Sequence, residues 1–209
     1  MSSMSEFALA SLSAQDAYKV LRSVVTPRPI ALVTTCNADG TVNAAPFSFF
    51  NAIAFDPCMV VLGLEARPDG SQKDTARNIR ETREFVVNVV DRALAERMNL
   101  CSLPLAPGEP ELAVAGLATV ASKAVAPPRL VDAPACLECV RHTTLEVGNR
   151  REIVIGEVLH IAVRESLVDR ERLHIDAVGL DTIGRLGGDD YATTRDRFFM
   201  PRPERPGAS

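Results

Sequence analysis

Residues 26–51 read TPRPIALVTTCNADGTVNAAPFSFFN, and the organisation of the chain follows from this stretch. Ile30 to Thr35 is a compact run of apolar and β-branched side chains, which favours an extended strand. Asn37-Ala38-Asp39-Gly40 supplies turn residues, and Thr41 to Ala45 returns as the second strand of a hairpin. Pro27 and Pro29 fix φ and bias Thr26 and Arg28 away from helix, so the approach to the first strand is stiff and extended.

Working towards the N-terminus, AQDAYKVLRS predicts a short helix with Ala17, Val20 and Leu21 on one side, preceded by a flexible serine-rich segment over residues 1–13. Towards the C-terminus, Pro46 ends the returning strand, and FSFFNAIAF leads through Asp56-Pro57 into a strand from Met59 to Leu64. A polar loop over 65–74 precedes a helix from Thr75 to Thr82, with Asp74 as the expected N-cap. Phe85 to Val90 is the next strand, and Asp91 is placed to cap a helix containing Leu94 and Met98. Prolines 104, 107 and 110 break the pattern between Leu103 and Gly116, leaving room for a small lobe or flap with a short helix near Leu112. Strands are expected over Leu117–Val125, Cys136–Val147 and Ile153–Val163, the last two joined by Gly148-Asn149-Arg150. The glycine- and proline-rich segment after Leu186 is expected to run over the surface. One domain over 14–192, followed by a tail over 193–209, accounts for the length. Short strands separated by turns, without regular alternating helices, predict a mainly β barrel or sandwich with short flanking helices.

The 209 residues carry 23 basic and 27 acidic side chains, a formal charge of −4 that offers no field for a nucleic-acid backbone. Five scattered cysteines do not make a disulfide scaffold in a chain of this size and fit a reducing compartment. The N-terminus lacks a basic region before an apolar stretch, and no apolar run reaches the roughly 20 residues that span a bilayer. These features predict a cytoplasmic protein that binds neither membrane nor nucleic acid.

Three groups of residues carry chemistry. Lys73 and Thr75, at the start of the helix after the polar loop, put an ammonium, a hydroxyl and first-turn amides together, a combination that suits an anion. An ordinary polar loop with an Asp cap fits the same residues. Arg28, held between two prolines, is a stiffly aimed cation for a phosphate or a planar ring, or a plain surface arginine. Thr34, Thr35, Asn43, Ser48 and Asn51 surround the aromatic cluster Phe47, Phe49, Phe50 and Phe55. This mixture suits a broad apolar ring with a polar edge and a phosphorylated chain, as in a flavin, although each phenylalanine alone reads as core.

Taken in order, the blocks TPRPIALVTTCNADGTVNAAPFSFFNAIAFDP, GSQKDTARNIRETREFVVNVV, PPRLVDAPACLECV, IVIGEVLHI and GRLGGDDY resemble the flavin reductase-like family of FMN-binding split-barrel proteins, in particular its flavoredoxin-like branch. The resemblance spans about residues 18–192. It implies a homodimeric split β-barrel with one FMN per subunit near the dimer interface. On matching positions it implies that Arg28 and Pro29 border the flavin, that Thr34 and Thr35 lie along it, and that Asn43, Ser48 and Asn51 make polar contacts. Lys73 and Thr75 of the KDT block would hold the phosphate, with Asp74 ordering the loop; Arg185 and Tyr191 would stand near the cofactor or across the interface. Cys58 departs from the common Pro-Pro pair, and Pro127-Pro128-Arg129 carries an extra proline.

An activity follows as an expectation: an NAD(P)H-dependent flavin reductase, with hydride accepted at flavin N5 and no separate protein acid or nucleophile assigned. An oxygenase or another redox protein would be its partner. An FMN electron carrier reduced by a protein, a small-molecule oxidase and a non-catalytic barrel are the alternatives. Cys136-Leu137-Glu138-Cys139 is formally CxxC, but strand positions i and i+3 point to opposite faces. His142 adds a third ligand type without a fourth, so no metal site is assigned. His160 and His174 read as structural. The sequence contains no GxSxG, HExxH or GxGxxG motif.

Overall fold

The computed structural model describes residues 3–67, 69–105, 111–148 and 151–203. A 3-10 turn at Leu9–Ser11 precedes α1, Ala14–Val24, whose N-cap Ser13 accepts from the Asp16 amide at 3.1 Å. The strands are β1 Arg28–Pro29, β2 Ala31–Cys36, β3 Val42–Phe47, β4 Phe50–Phe55, β5 Cys58–Glu65, β6 Glu84–Val89, β7 Thr119–Val120, β8 Arg129–Leu130, β9 Ala135–Val147, β10 Arg151–Val163, β11 Val168–Asp169, β12 His174–Ile175, β13 Ile183–Arg185 and β14 Tyr191–Thr193. Between them lie α2 Asp74–Thr82, α3 Ala95–Leu100, α4 Glu111–Val114 and α5 Ala177–Leu180.

Seven strands form one antiparallel sheet in the order β3-β2-β6-β9-β10-β5-β4, and β1-β13-β14 form a small sheet beside it. The two edge strands, β3 and β4, are consecutive in the chain and only Ser48 and Phe49 separate them. The sheet therefore curls round, and the Phe49 carbonyl accepts from the Gly63 amide of β5 at 2.7 Å where the curl closes. The architecture is the mainly β split barrel expected from the sequence.

The β2–β3 hairpin forms for local reasons. Gly40 takes φ +84°, and Asp39 accepts from the Thr41 amide at 2.9 Å and the Thr41 hydroxyl at 2.6 Å, which fixes the turn. Register then pairs Thr34 with Ala44 and Thr35 with Asn43. Strands β2 and β6 are buried on both faces, which is why their sequences read as near-continuous apolar runs. Ala31, Val33, Phe85 and Val87 face one core with Phe47, Leu62 and the α2 residues Ala76 and Ile79. Leu32 and Val86 face a second core with Val90, Leu94, Met98, Leu130 and Ile183. Fully burying a Leu or Phe of this kind contributes about 1.5–3 kcal/mol. At Gly156 a Cβ would stand 2.4 Å from the tip of the Phe85 ring, so β10 needs a glycine there for the ring to fill its site.

Several local expectations change. Helix α2 begins at Asp74 with Lys73 at the N-cap; Asp74 instead pairs with Arg67 (2.7 Å) and Arg77 (2.6 Å). The expected strand Leu117–Val125 contracts to Thr119–Val120, because side-chain carboxylates capture the amides beyond it: Glu138 accepts from Lys123 and Ala124, and Glu84 from Ala126. Part of the segment after Leu186 is ordered as β14. The expected turn at Gly148 runs into Asn149 and Arg150, which lie outside the described residues, as do residues 106–110 of the expected lobe. Asp91 does cap the turn leading into α3, accepting from the Leu94 amide at 2.8 Å. Among the described residues no helix is long and apolar enough to cross a membrane.

Candidate functional site

Helix α2 and the β2–β3 hairpin bring together part of the residue set read from the sequence. Thr75 is buried in the first turn of α2 and meets Asn43 on β3. With the Asn43 amide oriented to satisfy both of its ends, its oxygen accepts from Thr75 Oγ1 (3.0 Å) and the Ala44 amide (3.3 Å), while its nitrogen donates to Glu111 Oε1 (3.0 Å). Burial raises the Glu111 carboxyl above its ordinary range. One turn further along α2, the buried Asn78 donates to Thr35 Oγ1 at 3.0 Å, and its own Oδ1 has no partner. Thr35, Asn43, Thr75 and Asn78 thus form a polar seam between strand and helix.

Lys73 stands exposed at the head of this seam, with Nζ 5.9 Å from the Phe47 ring centroid. Among the described residues it makes no ion pair, and as N-cap it makes no side-chain capping bond, so the α2 first-turn amides remain open to an acceptor. Ser48 is half-buried at the end of β3. Asn51 is exposed on the edge strand β4, its Oδ1 accepting from the Ala52 amide at 2.9 Å.

Arg28 is occupied differently. Its buried guanidinium donates to the carbonyls of Arg22, Val25 (2.7 Å) and Leu186 (3.0 Å), and its Nε lies 3.5 Å from Ser48 Oγ. It ties the carbonyl end of α1 to the β13–β14 connection, where a cation is favoured by the free helix carbonyls. Pro29 beside it is exposed. Arg185 and Tyr191 are brought together on β13 and β14: the guanidinium donates to the phenol, lies 4.5 Å from the ring centroid and also donates to Gly188 (2.6 Å) and Asp189 (3.1 Å). Tyr191 lines a cavity of about 310 Å³ against α3, together with Arg92 and Glu96. Lys73, Ser48 and Thr75 do not line this cavity, so it and the anion-type donors are separate features.

Thr34 belongs to neither group. Its hydroxyl donates to the Pro128 carbonyl at 2.6 Å and accepts from Asn88 at 3.2 Å, on the face opposite Thr35. Asn88 in turn accepts from the Leu130 amide at 2.8 Å. On the same face Glu138, fully buried, accepts from the amides of Lys123 (2.9 Å) and Ala124 (2.6 Å), and its other oxygen lies 3.4 Å from Arg129 Nε and 3.4 Å from His160 Nδ1. This network pins the 121–130 segment to the sheet. Sequence reading missed Glu138, Asn88 and Asn78; a charged or amide residue inside a run of core side chains was the available signal. Cys136 and Cys139 face the two different cores, and burial pushes their thiols up to about 11 and about 12 respectively, so they do not form a dithiol.

Residues 21–177 match the flavin reductase like domain, and the chain belongs to that family. An uncharacterized protein of Bacillus subtilis (strain 168), YwrF, is 41% identical over 197 residues, covering 92% of this chain and 96% of the relative. Among solved structures, nitrilotriacetate monooxygenase component B from Bacillus cereus superposes with a TM-score of 0.91 at 31% identity, over 96% of this chain and all of that one. Pseudomonas fluorescens 2-nitrobenzoate 2-nitroreductase NbaA superposes with a TM-score of 0.89 at 36% identity, over 98% of this chain and 100% of that one. The chain is accordingly a flavin-dependent oxidoreductase.

Proposed function

We propose that the protein is an FMN-binding, NAD(P)H-dependent flavin reductase that works as a homodimer. The observation that carries the reading is Lys73, without an ion pair among the described residues, at the open amino end of α2 and beside the Phe47 ring. The polar groups fit a phosphorylated flavin: one ammonium and first-turn amides donate to the phosphate, and the unsatisfied Asn78 Oδ1 in the seam below is an acceptor for a hydroxyl. Lys73 and Thr75 hold the phosphate end, Ser48, Asn43 and Asn51 serve the polar chain, and the β2 backbone at Thr34, Thr35 and Cys36 borders the pyrimidine edge. Arg28 keeps Pro29 and Ser48 in position through its carbonyl contacts, and Arg185 and Tyr191 form the flank towards the cavity.

A flavin held there would supply the redox chemistry, as acceptor of hydride from a reduced nicotinamide. The chain's own residues hold and orient it and tune its edge through backbone donors. A single phosphate fits one lysine and one helix terminus, which favours FMN over FAD. Exposed apolar side chains along β4, including Ile53 and Phe55, support a partner copy against this edge. The likeness to a monooxygenase component B supports an oxygenase as electron acceptor. Five free thiols fit a cytoplasmic location.

Anaerobic stopped-flow absorbance tests the reading. Protein loaded with FMN, and separately with FAD, is mixed with NADH or NADPH. Rapid bleaching of the FMN form by either donor is expected. A tightly held FMN that stays oxidised with both donors replaces the reductase by an electron carrier reduced by another protein, and tighter retention of FAD than FMN overturns the choice of flavin.

A further inference from the structure

The chain leaves β14 through a defined root. The Thr194 amide donates to the Thr182 carbonyl at 3.1 Å, and Arg195 makes a two-pronged ion pair with Asp181 at 2.8 and 2.7 Å. Beyond this root three consecutive large apolar residues, Phe198, Phe199 and Met200, stand 82%, 91% and 75% exposed. Arg197 and Arg202 flank them, and neither makes an ion pair among the described residues. A tethered apolar triplet in water is unfavourable and marks a contact surface.

The same chain carries a surface of matching chemistry. Strand β4 is an edge of the large sheet, paired on one side only, with Ile53 49% and Phe55 90% exposed. At its end is Asp56, a carboxylate without an ion pair among the described residues. An apolar triplet between unpaired arginines therefore complements an apolar strip ending in an unpaired acid. The exposure of β4 exists with the described tail residues of its own chain present, so those residues do not cover it.

We infer that the Phe198–Met200 segment of one copy docks on the β4 edge of a second copy, with Phe198 and Phe199 against Ile53 and Phe55 and with Arg197 or Arg202 beside Asp56. The inference rests on the homodimer reading above and adds what holds the dimer together. Two reciprocal tails bring four phenylalanines, and at about 150–250 Å² for each ring they supply roughly half of a standard interface of about 1,600 Å². Reciprocity is what a two-fold dimer requires.

A natural thiol makes the contact testable, because Cys58 is exposed and its Sγ donates to the Phe55 carbonyl at 3.3 Å, next to the proposed docking strip. Sedimentation equilibrium first establishes the state of the unmodified chain; a monomer overturns both the homodimer reading and this inference. If it is a dimer, the Phe199→Cys variant is mildly oxidised and run on a non-reducing gel, beside the same variant carrying Cys58→Ser. In parallel, a chain ending at Asp196 is compared with the full chain by sedimentation, with far-UV circular dichroism reporting its fold. The inference expects a covalent dimer that disappears with Cys58→Ser, and a dimer dissociation constant raised at least tenfold in the shortened, folded chain. Both results are required. A Cys58-independent cross-link, a disulfide closed within one chain, no cross-link, or an unchanged dissociation constant overturns the docking while leaving the homodimer intact.

Discussion

Thr34 and Thr35 are neighbours in sequence and both fully buried, yet they serve two different polar networks. Thr34 faces the Asn88–Glu138 side, where side-chain acceptors hold the 121–130 segment to the sheet. The buried atoms there without a hydrogen bond, Glu138 Oε1, Arg129 Nε and His160 Nδ1, face one another as ion-pair partners, both nitrogens 3.4 Å from the Glu138 oxygen. Thr35 faces α2, where, among the described residues, Asn78 Oδ1 lacks a partner and Lys73 lacks a counter-ion. A network whose remaining buried groups face opposite charges stabilises the fold; one whose acceptor and ammonium face no such partner is arranged for something else to complete it. The difference separates scaffold from site within two adjacent residues.

The comparison breaks most severely at Glu138. Glu138→Ala leaves two amides and Arg129 without their buried acceptor and is expected to cost about 3–5 kcal/mol in urea unfolding, with Glu138→Gln closer to wild type. Lys73→Ala is expected to do the reverse: an unchanged melting temperature, with FMN affinity by fluorescence titration lowered roughly ten- to hundredfold, as loss of a charge-assisted bond implies. Unchanged affinity removes Lys73 from the phosphate site. The threonines give the finer contrast. Thr34→Val is expected to cost about 1–3 kcal/mol of stability, and Thr35→Val about 1 kcal/mol together with a several-fold loss of flavin retention; equal effects on flavin from both would erase the distinction drawn between the two faces.

The smallest expected effect is at Glu111. Its folded carboxyl is raised above the ordinary value of 4.5, so the folded chain holds this proton more tightly than the unfolded chain. Stability from this group is present below about pH 4.5 and is lost as pH climbs through the raised value. Glu111→Gln is expected to flatten that part of the stability–pH curve and to raise the melting temperature slightly at pH 7.

The β2–β3 hairpin was legible because Asn37 to Gly40 carry their own turn chemistry, and β9–β10 because two long β-forming runs flank a glycine. Alternation also foretold that strand positions i and i+3 part to opposite faces, as Cys136 and Cys139 do. What covers each face was not legible. Leu117–Val125 reads as strand by propensity, but Glu138 takes the amides of Lys123 and Ala124 at its end and Glu84 takes that of Ala126 just beyond it. Arg28 reads as an anion ligand from its stiff prolines, whereas its donors point into carbonyls whose position depends on where α1 ends. Chemistry set by one segment was readable; chemistry set by two segments meeting was not.

The sheet order has a kinetic consequence. Hairpins β2–β3, β4–β5 and β9–β10 need only short loops to form, but β6 pairs with β9 across the whole 90–134 connection, and β10 pairs with β5 across a still longer separation. Loop-closure entropy makes those long-range pairings late and slow. Because Ser48 and Phe49 tie β3 to β4 from the start, the β2–β3 and β4–β5 hairpins cannot diffuse apart while they wait, and the ring seals when the β9–β10 hairpin docks between β6 and β5.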